Sequence, residues 1–115
     1  MSIVDDVVEM VRTHTVVRVD PALATLVPRF MENRRLDLVA LKGALADGDF
    51  NTIQSIGHAI KGTGGGYGFH AISALGKELE DCGKNQDGVG ATQWVEALDG
   101  YLAQVEVLYE AAETT

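Results

Sequence analysis

Several residue types that carry specialised chemistry are scarce in this chain of 115 residues. Its one cysteine, Cys82, excludes an internal disulfide and a zinc site built on cysteines, and it fits a reducing, cytoplasmic compartment. No apolar run approaches the ~20 residues that span a bilayer. The N-terminus carries acids at Asp5 and Asp6, where a signal peptide would be basic. We therefore expect a cytoplasmic protein with neither a membrane span nor a signal peptide.

Positive charge is also in deficit. Nine Lys and Arg residues face 17 Asp and Glu residues, which gives a net charge of −8 and a pI near 4.6. This charge opposes phosphate backbones and anionic membranes, so we expect neither nucleic-acid nor membrane binding. With 46% hydrophobic residues, a chain of this length can bury one core. The composition therefore favours one compact domain, which we expect to be monomeric.

Apolar residues recur at helical spacing through most of the chain. Four stripes predict four helices: Pro28 to Asp47-Gly48, Phe50 to Ile60 with Asp49 as the N-cap, Ile72 to Cys82 with Gly83 as the terminating glycine, and Trp94 to Leu108 and Tyr109. A polar loop, residues 84–90, separates the last two. Four amphipathic helices with short connections can bury their stripes only against one another. The sequence therefore predicts an all-α protein, with an antiparallel four-helix bundle over residues 20–115.

The N-terminal residues 1–19 have a mixed pattern. Helical spacing comes first and β-branched residues follow: Ile3, Val7 and Val11, then Val16, Val17 and Val19. The second group favours an extended chain. Asp20 and Pro21 then predict the N-cap and first residue of a short helix, which Pro28 kinks or ends. We expect a short additional N-terminal helical segment, with the structure of residues 1–19 left open.

The residues that are least typical of an ordinary helix lie between His58 and Phe69. At about 100° per residue, His58 points about 140° away from the apolar stripe, toward water. Lys61 lies one turn further on at one side of His58, and Gly62 lies at the other. This arrangement gives an exposed imidazole with a cation beside it, which suits an anion held at the ring.

Glycine is unusually frequent in the same stretch. Five glycines lie between residues 57 and 66, and each interior helical glycine costs about 1 kcal/mol relative to alanine. A selection other than stability must therefore maintain them. Gly65, two turns after His58, falls close to the direction of the histidine. We expect Gly62 and Gly65 to leave a bare surface on which another protein can approach the imidazole.

The pattern His58-x-x-Lys61-Gly62, followed by Gly68 and by Leu79-Glu80 on the next predicted helix, resembles the histidine phosphotransfer (HPt) domain. Residues 30–34 and 45–50 also resemble the corresponding HPt helix and turn, so the resemblance covers about residues 20–110. It implies that His58 is phosphorylated, that Lys61 neutralises the phosphoryl group, and that Gly62 leaves room for the partner.

Glu80 enters through the same resemblance. Many HPt relatives carry an acid or amide 22 residues after the histidine, where it accepts a hydrogen bond from the imidazole Nδ1 and leaves Nε2 free to attack phosphorus. With Glu80 and the run Gly-Tyr-Gly-Phe after the motif, the chain is similar in particular to the phosphorylated domain of chemotaxis histidine kinases.

The resemblance implies a phosphocarrier in two-component or phosphorelay signalling rather than an enzyme. Its partners would be a histidine kinase and receiver domains, which supply ATP and Mg²⁺, so we expect no cofactor of its own. The glycine spacing does not fit a nucleotide-binding loop. A metal- or haem-binding bundle would need inward-facing ligand pairs that the stripes lack. A helical adaptor without phosphate chemistry stays open as the alternative.

Other conspicuous side chains receive no functional role. His14 and His70 are expected at the surface or at a helix end, and Cys82 closes an apolar stripe as a buried structural thiol. Tyr67 and Phe69 are expected to pack at the end of the second predicted helix.

Overall fold

The computed structural model describes residues 3–110, with side chains from residue 5 onward. In chain order the elements are α1 (Ile3–Thr13), β1 (Val16–Val19), a 3₁₀ turn (Pro21–Leu23), α2 (Val27–Asp47), α3 (Phe50–Gly64), a second 3₁₀ turn (Gly65–Tyr67), α4 (His70–Lys84), α5 (Gly88–Gln104) and β2 (Glu106–Tyr109). The protein is therefore mainly helical, as predicted. None of the helices described is long and apolar enough to cross a membrane.

The predicted connection between the first two long helices is confirmed. α2 ends at Gly48, whose φ of 65° is left-handed and favours glycine. Asp49 follows as the N-cap of α3, and its side chain accepts a hydrogen bond from the backbone N–H of Thr52 at 3.2 Å. Asp20 caps the first 3₁₀ turn in the same way, accepting from Ala22 N–H. Gly48 and Asp49 thus fix where α2 ends and α3 begins.

α2, α3, α4 and α5 surround one core. α2 contacts α3 and α5, and α4 contacts the same two helices, so the contacts close a ring. The largest side chains with no exposed surface lie inside it: Leu41, Ile53, Ile60, Phe69, Ile72, Leu75, Leu79 and Leu98. The apolar stripes predicted from spacing are therefore the faces that pack together.

α3 and α4 approach each other through glycines. Two buried glycines on each helix, seven residues apart, form the contact: Gly57 and Gly64 on α3, Gly76 and Gly83 on α4. Gly57 lies against Glu80, whereas Gly64 lies against Ser73. Because later positions on α3 meet earlier positions on α4, the two helices run antiparallel.

The predicted end of the third long helix at Gly83 is wrong. α4 continues to Lys84, and Gly83 is a buried helical residue on which a Cβ would lie 2.4 Å from the backbone nitrogen of Gln54. Gly83 is needed for close packing against α3 rather than for ending α4. The loop before α5 is correspondingly short, because α5 begins at Gly88 instead of after residue 90.

The last predicted helix is too long, and the all-α prediction needs a correction. α5 ends at Gln104, and Glu106–Tyr109 form β2, which leaves Leu108 and Tyr109 exposed instead of in a buried helical stripe. β2 pairs in parallel with β1, from Val16 opposite Glu106 to Val19 opposite Tyr109. Helical spacing in the C-terminal segment could not reveal this, because the pairing partner lies about ninety residues earlier in the chain.

The N-terminal segment has both structures that its pattern suggested. The residues with helical spacing lie in α1, which packs on α4. The β-branched residues form β1, in which Val17 and Val19 are buried and Val16 and Arg18 are exposed. The extended conformation expected for this segment is therefore confirmed.

Candidate functional site

His58 lies on the outer face of α3, where 70% of its side chain is exposed. Its Nδ1 atom is 2.5 Å from Oε2 of Glu80. A carboxylate offers only acceptors, so the Nδ1 atom carries the proton and donates this hydrogen bond. In the neutral imidazole, the available lone pair then resides on Nε2. The structure thus presents an imidazole with one nitrogen occupied and the other available.

Glu80, on α4, holds two side chains of α3 at once. Its second oxygen, Oε1, accepts a hydrogen bond from Lys61 Nζ at 2.7 Å, while Oε2 accepts from His58. Only 17% of the Glu80 side chain is exposed, against 38% for Lys61. The hydrogen bond from Lys61 and then that from His58 lower the pKa of the Glu80 carboxyl below its ordinary value. Glu80 is therefore ionised at neutral pH and orients both partners.

The helix contact at the glycines brings these residues together. Gly57 precedes His58 and lies against the backbone of Glu80, whereas Gly76, one turn before Glu80, lies against the backbone of Lys61. Ser73 adds a bond across the same interface, because its hydroxyl donates to the backbone carbonyl of Lys61. His58, Lys61 and Glu80 thus lie where the backbones of α3 and α4 come closest together.

The surface next to His58 carries no side chains at Gly62 and Gly65. Both residues are exposed, and a Cβ built on either would meet no atom within 4 Å. α3 ends at Gly64, and Gly65 begins the 3₁₀ turn with a right-handed backbone, φ −65° and ψ −30°. The turn ends at Gly68, which has φ 84°. A bare surface therefore continues from α3 into this turn.

Arg34 supports the other side of α3 and was missed by the reasoning from sequence. It is buried, pairs through Nε with Asp37 Oδ2 at 2.8 Å, and donates to the hydroxyl of Thr63. Its guanidinium lies 5.0 Å from the centre of the Phe30 ring. Burial raises the pKa of Asp37 despite the opposing charge of Arg34. The feature of the sequence that could have revealed this residue is an arginine four residues after Phe30, on the apolar face of α2.

Tyr67 and Phe69 pack as predicted. Their rings lie 4.8 Å and 5.1 Å from that of Phe30, measured between centres. Phe69 has no exposed surface, whereas Tyr67 borders an open groove of 210 Å³ between α2 and the turn after α3. Arg29 also lines this groove. The aromatic contacts anchor the turn that carries the bare surface.

The remaining candidate side chains lie apart from this site. Cys82 is buried, and burial raises the pKa of its thiol to about 11, as fits a structural residue. His14 Nδ1 is 3.0 Å from the backbone oxygen of Met10, and His70 is the first residue of α4. Within residues 3–110, no group of three or more His, Cys, Asp or Glu side chains is placed to hold a metal ion.

The fold and the site define a helical protein that presents a histidine hydrogen-bonded to a carboxylate, with a lysine nearby and two exposed glycines on the same helix and the turn after it. The family model of the Hpt domain matches residues 25–107, which is most of the chain. The chain therefore belongs to the Hpt domain family, whose members carry phosphoryl groups on histidine in phosphorelay signalling and are not catalysts. No curated protein and no solved structure is significantly similar to it.

Proposed function

We propose that the protein is a phosphocarrier that accepts a phosphoryl group on Nε2 of His58 and exchanges it with the aspartate of a receiver domain. The observation that carries the proposal is the hydrogen bond from His58 Nδ1 to Glu80, which leaves Nε2 as the unprotonated nitrogen of an exposed imidazole. Family membership gives the class of chemistry. We assign that chemistry to His58, Lys61 and Glu80.

The transfer step follows from these atoms. The Nε2 lone pair attacks the phosphorus of a phosphoaspartate, the N–P bond forms, and the P–O bond breaks so that the aspartate leaves as a carboxylate. Lys61 is held beside His58 by its hydrogen bond to Glu80. From there its ammonium can turn toward the phosphoryl oxygens and neutralise their charge. The reverse step returns the electron pair to Nε2 and the phosphoryl group to a receiver.

The partners supply what this chain does not provide. We propose that a histidine kinase brings ATP or that a receiver brings Mg²⁺ and its acidic pocket, so the carrier needs no cofactor of its own. Gly62 and Gly65 form the docking surface, because a partner can approach there without displacing side chains. The ring of α2 to α5 would be the antiparallel four-helix bundle expected from the sequence.

We propose a cytoplasmic, monomeric carrier that exchanges phosphate with proteins. The single cysteine fits a reducing compartment, and the net charge of −8 disfavours nucleic-acid and membrane partners. The proposal leaves the identity of the kinase and the receivers, and the direction of phosphate flow, to a transfer profile against the host's kinases and receivers.

The direct test is phosphate labelling. The wild-type protein, incubated with acetyl phosphate, a phosphorylated receiver, or a kinase with ATP, should acquire phosphate that is labile in acid and stable in base. His58→Gln should abolish the labelling and change the free energy of unfolding by no more than about 0.5 kcal/mol, because the side chain is exposed.

Two other histidines provide matched controls. His14→Gln and His70→Gln should label like the wild type, since both lie outside the site. Labelling that persists in His58→Gln would refute the assignment of the site. A wild-type protein that takes up no phosphate from any of the three donors would favour the adaptor instead.

A further inference from the structure

Gly57 lies where the backbones of α3 and α4 are in direct contact. A Cβ on Gly57 would be 2.4 Å from the backbone nitrogen of Glu80 and 2.9 Å from its Cα, distances that real Cβ atoms essentially never show. Both neighbours are backbone atoms, which cannot swing aside as a flexible side chain can. Even alanine at this position therefore requires α4 to move away from α3.

Gly76 makes the reciprocal contact from α4. A Cβ there would be 2.4 Å from the backbone nitrogen of Lys61 and 2.9 Å from the backbone oxygen of Gly57. The two glycines therefore lie against the backbones of Glu80, which carries the carboxylate, and of Lys61, one of the two residues that it binds. Gly57 adjoins Glu80 itself, and Gly76 adjoins Lys61 one turn along.

The hydrogen bonds of the Glu80 carboxylate depend closely on the distance between α3 and α4. The carboxylate oxygens lie 2.5 Å from His58 Nδ1 and 2.7 Å from Lys61 Nζ, and each serves one partner. Contacts between non-bonded heavy atoms are optimal near 3.5–4.0 Å, so relieving a 2.4 Å contact needs a displacement of about 1 Å. Such a shift would carry a 2.5 Å hydrogen bond toward the limit of the interaction.

We infer that Gly57 and Gly76 are positioning residues for His58, because their missing side chains set the helix separation at which Glu80 reaches the histidine and the lysine together. The consequence for phosphate chemistry rests on the proposed function. The geometric part concerns the unphosphorylated protein and can be measured without any transfer.

The first test compares alanine substitutions along the same interface by NMR. Gly57→Ala and Gly76→Ala should reduce the population of His58 tautomer with the proton on Nδ1, seen in ¹⁵N spectra, and raise the pKa of Glu80 toward its ordinary value, seen in carboxyl ¹³C titrations. Gly64→Ala is the matched control, since a Cβ there also meets backbone, 2.8 Å from Ser73 N, but away from the carboxylate. Equal effects of all three, or no effect of any, would overturn the inference.

A second variant tests the same inference even if the glycine variants do not fold. Glu80→Asp keeps the charge and withdraws the carboxylate by one carbon, about 1.5 Å, without adding any atom to the helix interface. If the helix separation limits the reach of the carboxylate, Glu80→Asp should also lose the Nδ1–H preference of His58. An aspartate that retains the wild-type tautomer would show that the separation is not limiting, and the inference would fail.

Labelling with acetyl phosphate adds the functional readout. Gly57→Ala should slow labelling by the same factor as Glu80→Ala, and the double variant should be no slower than Glu80→Ala alone, because both changes remove one interaction. Additive effects in the double variant would count against a shared cause. Absence of labelling in the wild type would refute the proposed function while the NMR outcomes still decide the positioning role.

Discussion

Glu80 determines which nitrogen of His58 is available for chemistry. An isolated imidazole exchanges its proton between the two ring nitrogens, whereas a carboxylate beside Nδ1 holds it there. The same carboxylate holds Lys61, so in the unphosphorylated protein the ammonium is already placed within one side-chain length of the ring. A phosphoryl group on Nε2 would then compete with Glu80 for Lys61. In the proposed reaction, Glu80 therefore affects both the nucleophile, His58, and the cation that would bind the phosphoryl group, Lys61.

The pH dependence of stability tests the Glu80 network. Because the pKa of Glu80 is lowered in the folded protein, its stabilising contribution is complete above the pKa of the unfolded chain and is lost as pH falls through the folded pKa. The free energy of unfolding of the wild type should thus exceed that of Glu80→Gln at neutral pH, and the gap should close on acidification. Urea melts between neutral and acidic pH measure it.

The control for this experiment is Glu96→Gln, which replaces an exposed acid on α5. Its free energy of unfolding should differ from that of the wild type by no more than about 0.5 kcal/mol at neutral pH. A difference between the wild type and Glu80→Gln that does not change with pH would contradict the network.

Lys61→Ala tests the role of the positive charge alone, because it removes the ammonium and leaves His58 in place. Phosphate transfer through His58 should slow by about tenfold or more, the size of one charge-assisted hydrogen bond, yet persist because Nε2 remains. The pKa of Glu80 should rise in this variant, since the bond from Lys61 is the largest cause of its lowering. Lys77→Ala, which breaks an exposed pair with Asp81 on α4, is the control. Unchanged transfer with every competent partner would show that Lys61 has no part in the chemistry.

At the scale of helices and turns, the glycines serve two different purposes. Gly57 and Gly83 are buried and allow the backbones to touch, whereas Gly62 and Gly65 face solvent and leave the surface bare. The sequence predicted the second purpose but not the first. A glycine at the end of an apolar stripe suits a helix terminus as well as a close helix contact, and only the position of Gln54 on the neighbouring helix decides for Gly83.

Gly65 offers a test in which stability and function change in opposite directions. Its backbone is right-handed and a Cβ there meets nothing, so Gly65→Gln should stabilise the protein by up to about 1 kcal/mol. The same side chain would project from the docking surface and reduce transfer to a receiver. Denaturant melts and transfer rates on one preparation provide both measurements.

Gly100→Gln is the matched control for that change. Gly100 lies on α5, which packs on α2 and α4, and a Cβ there also meets no atom within 4 Å. The control should gain similar stability and transfer phosphate normally. If Gly65→Gln also transfers normally, the docking surface lies elsewhere on the protein.

For the molecule as a whole, sequence patterns predicted the features that depend on residues close together in the chain. The spacing of Phe50, Ile53 and Ile60 predicted α3 and placed His58 outward, which the structure confirms. β2 was missed because its conformation depends on pairing with β1, at the opposite end of the described chain. Arg34 was missed for a similar reason, since its contact with Thr63 on α3 forms only once the helices have packed.

The same distinction applies to the site. Lys61 follows from helical spacing on the element that carries His58, but Glu80 is on another helix, 22 residues away, and its contact depends on how close the two backbones come. Without the family resemblance, nothing in the local sequence would have linked the two. Contacts between elements thus limit what sequence patterns alone can predict here.

The pairing of the two strands leads to a prediction for the stability of the whole chain. Val19 in β1 is 2% exposed and belongs to the common core, whereas Val16 in the same strand is 48% exposed. Val19→Ala removes two buried methyl groups and should lower the free energy of unfolding by about 2 kcal/mol. Val16→Ala, the same chemical change on the outer face, should lower it by no more than about 0.5 kcal/mol. Urea melts that show equal effects of the two substitutions would mean that β1 does not contribute to the core.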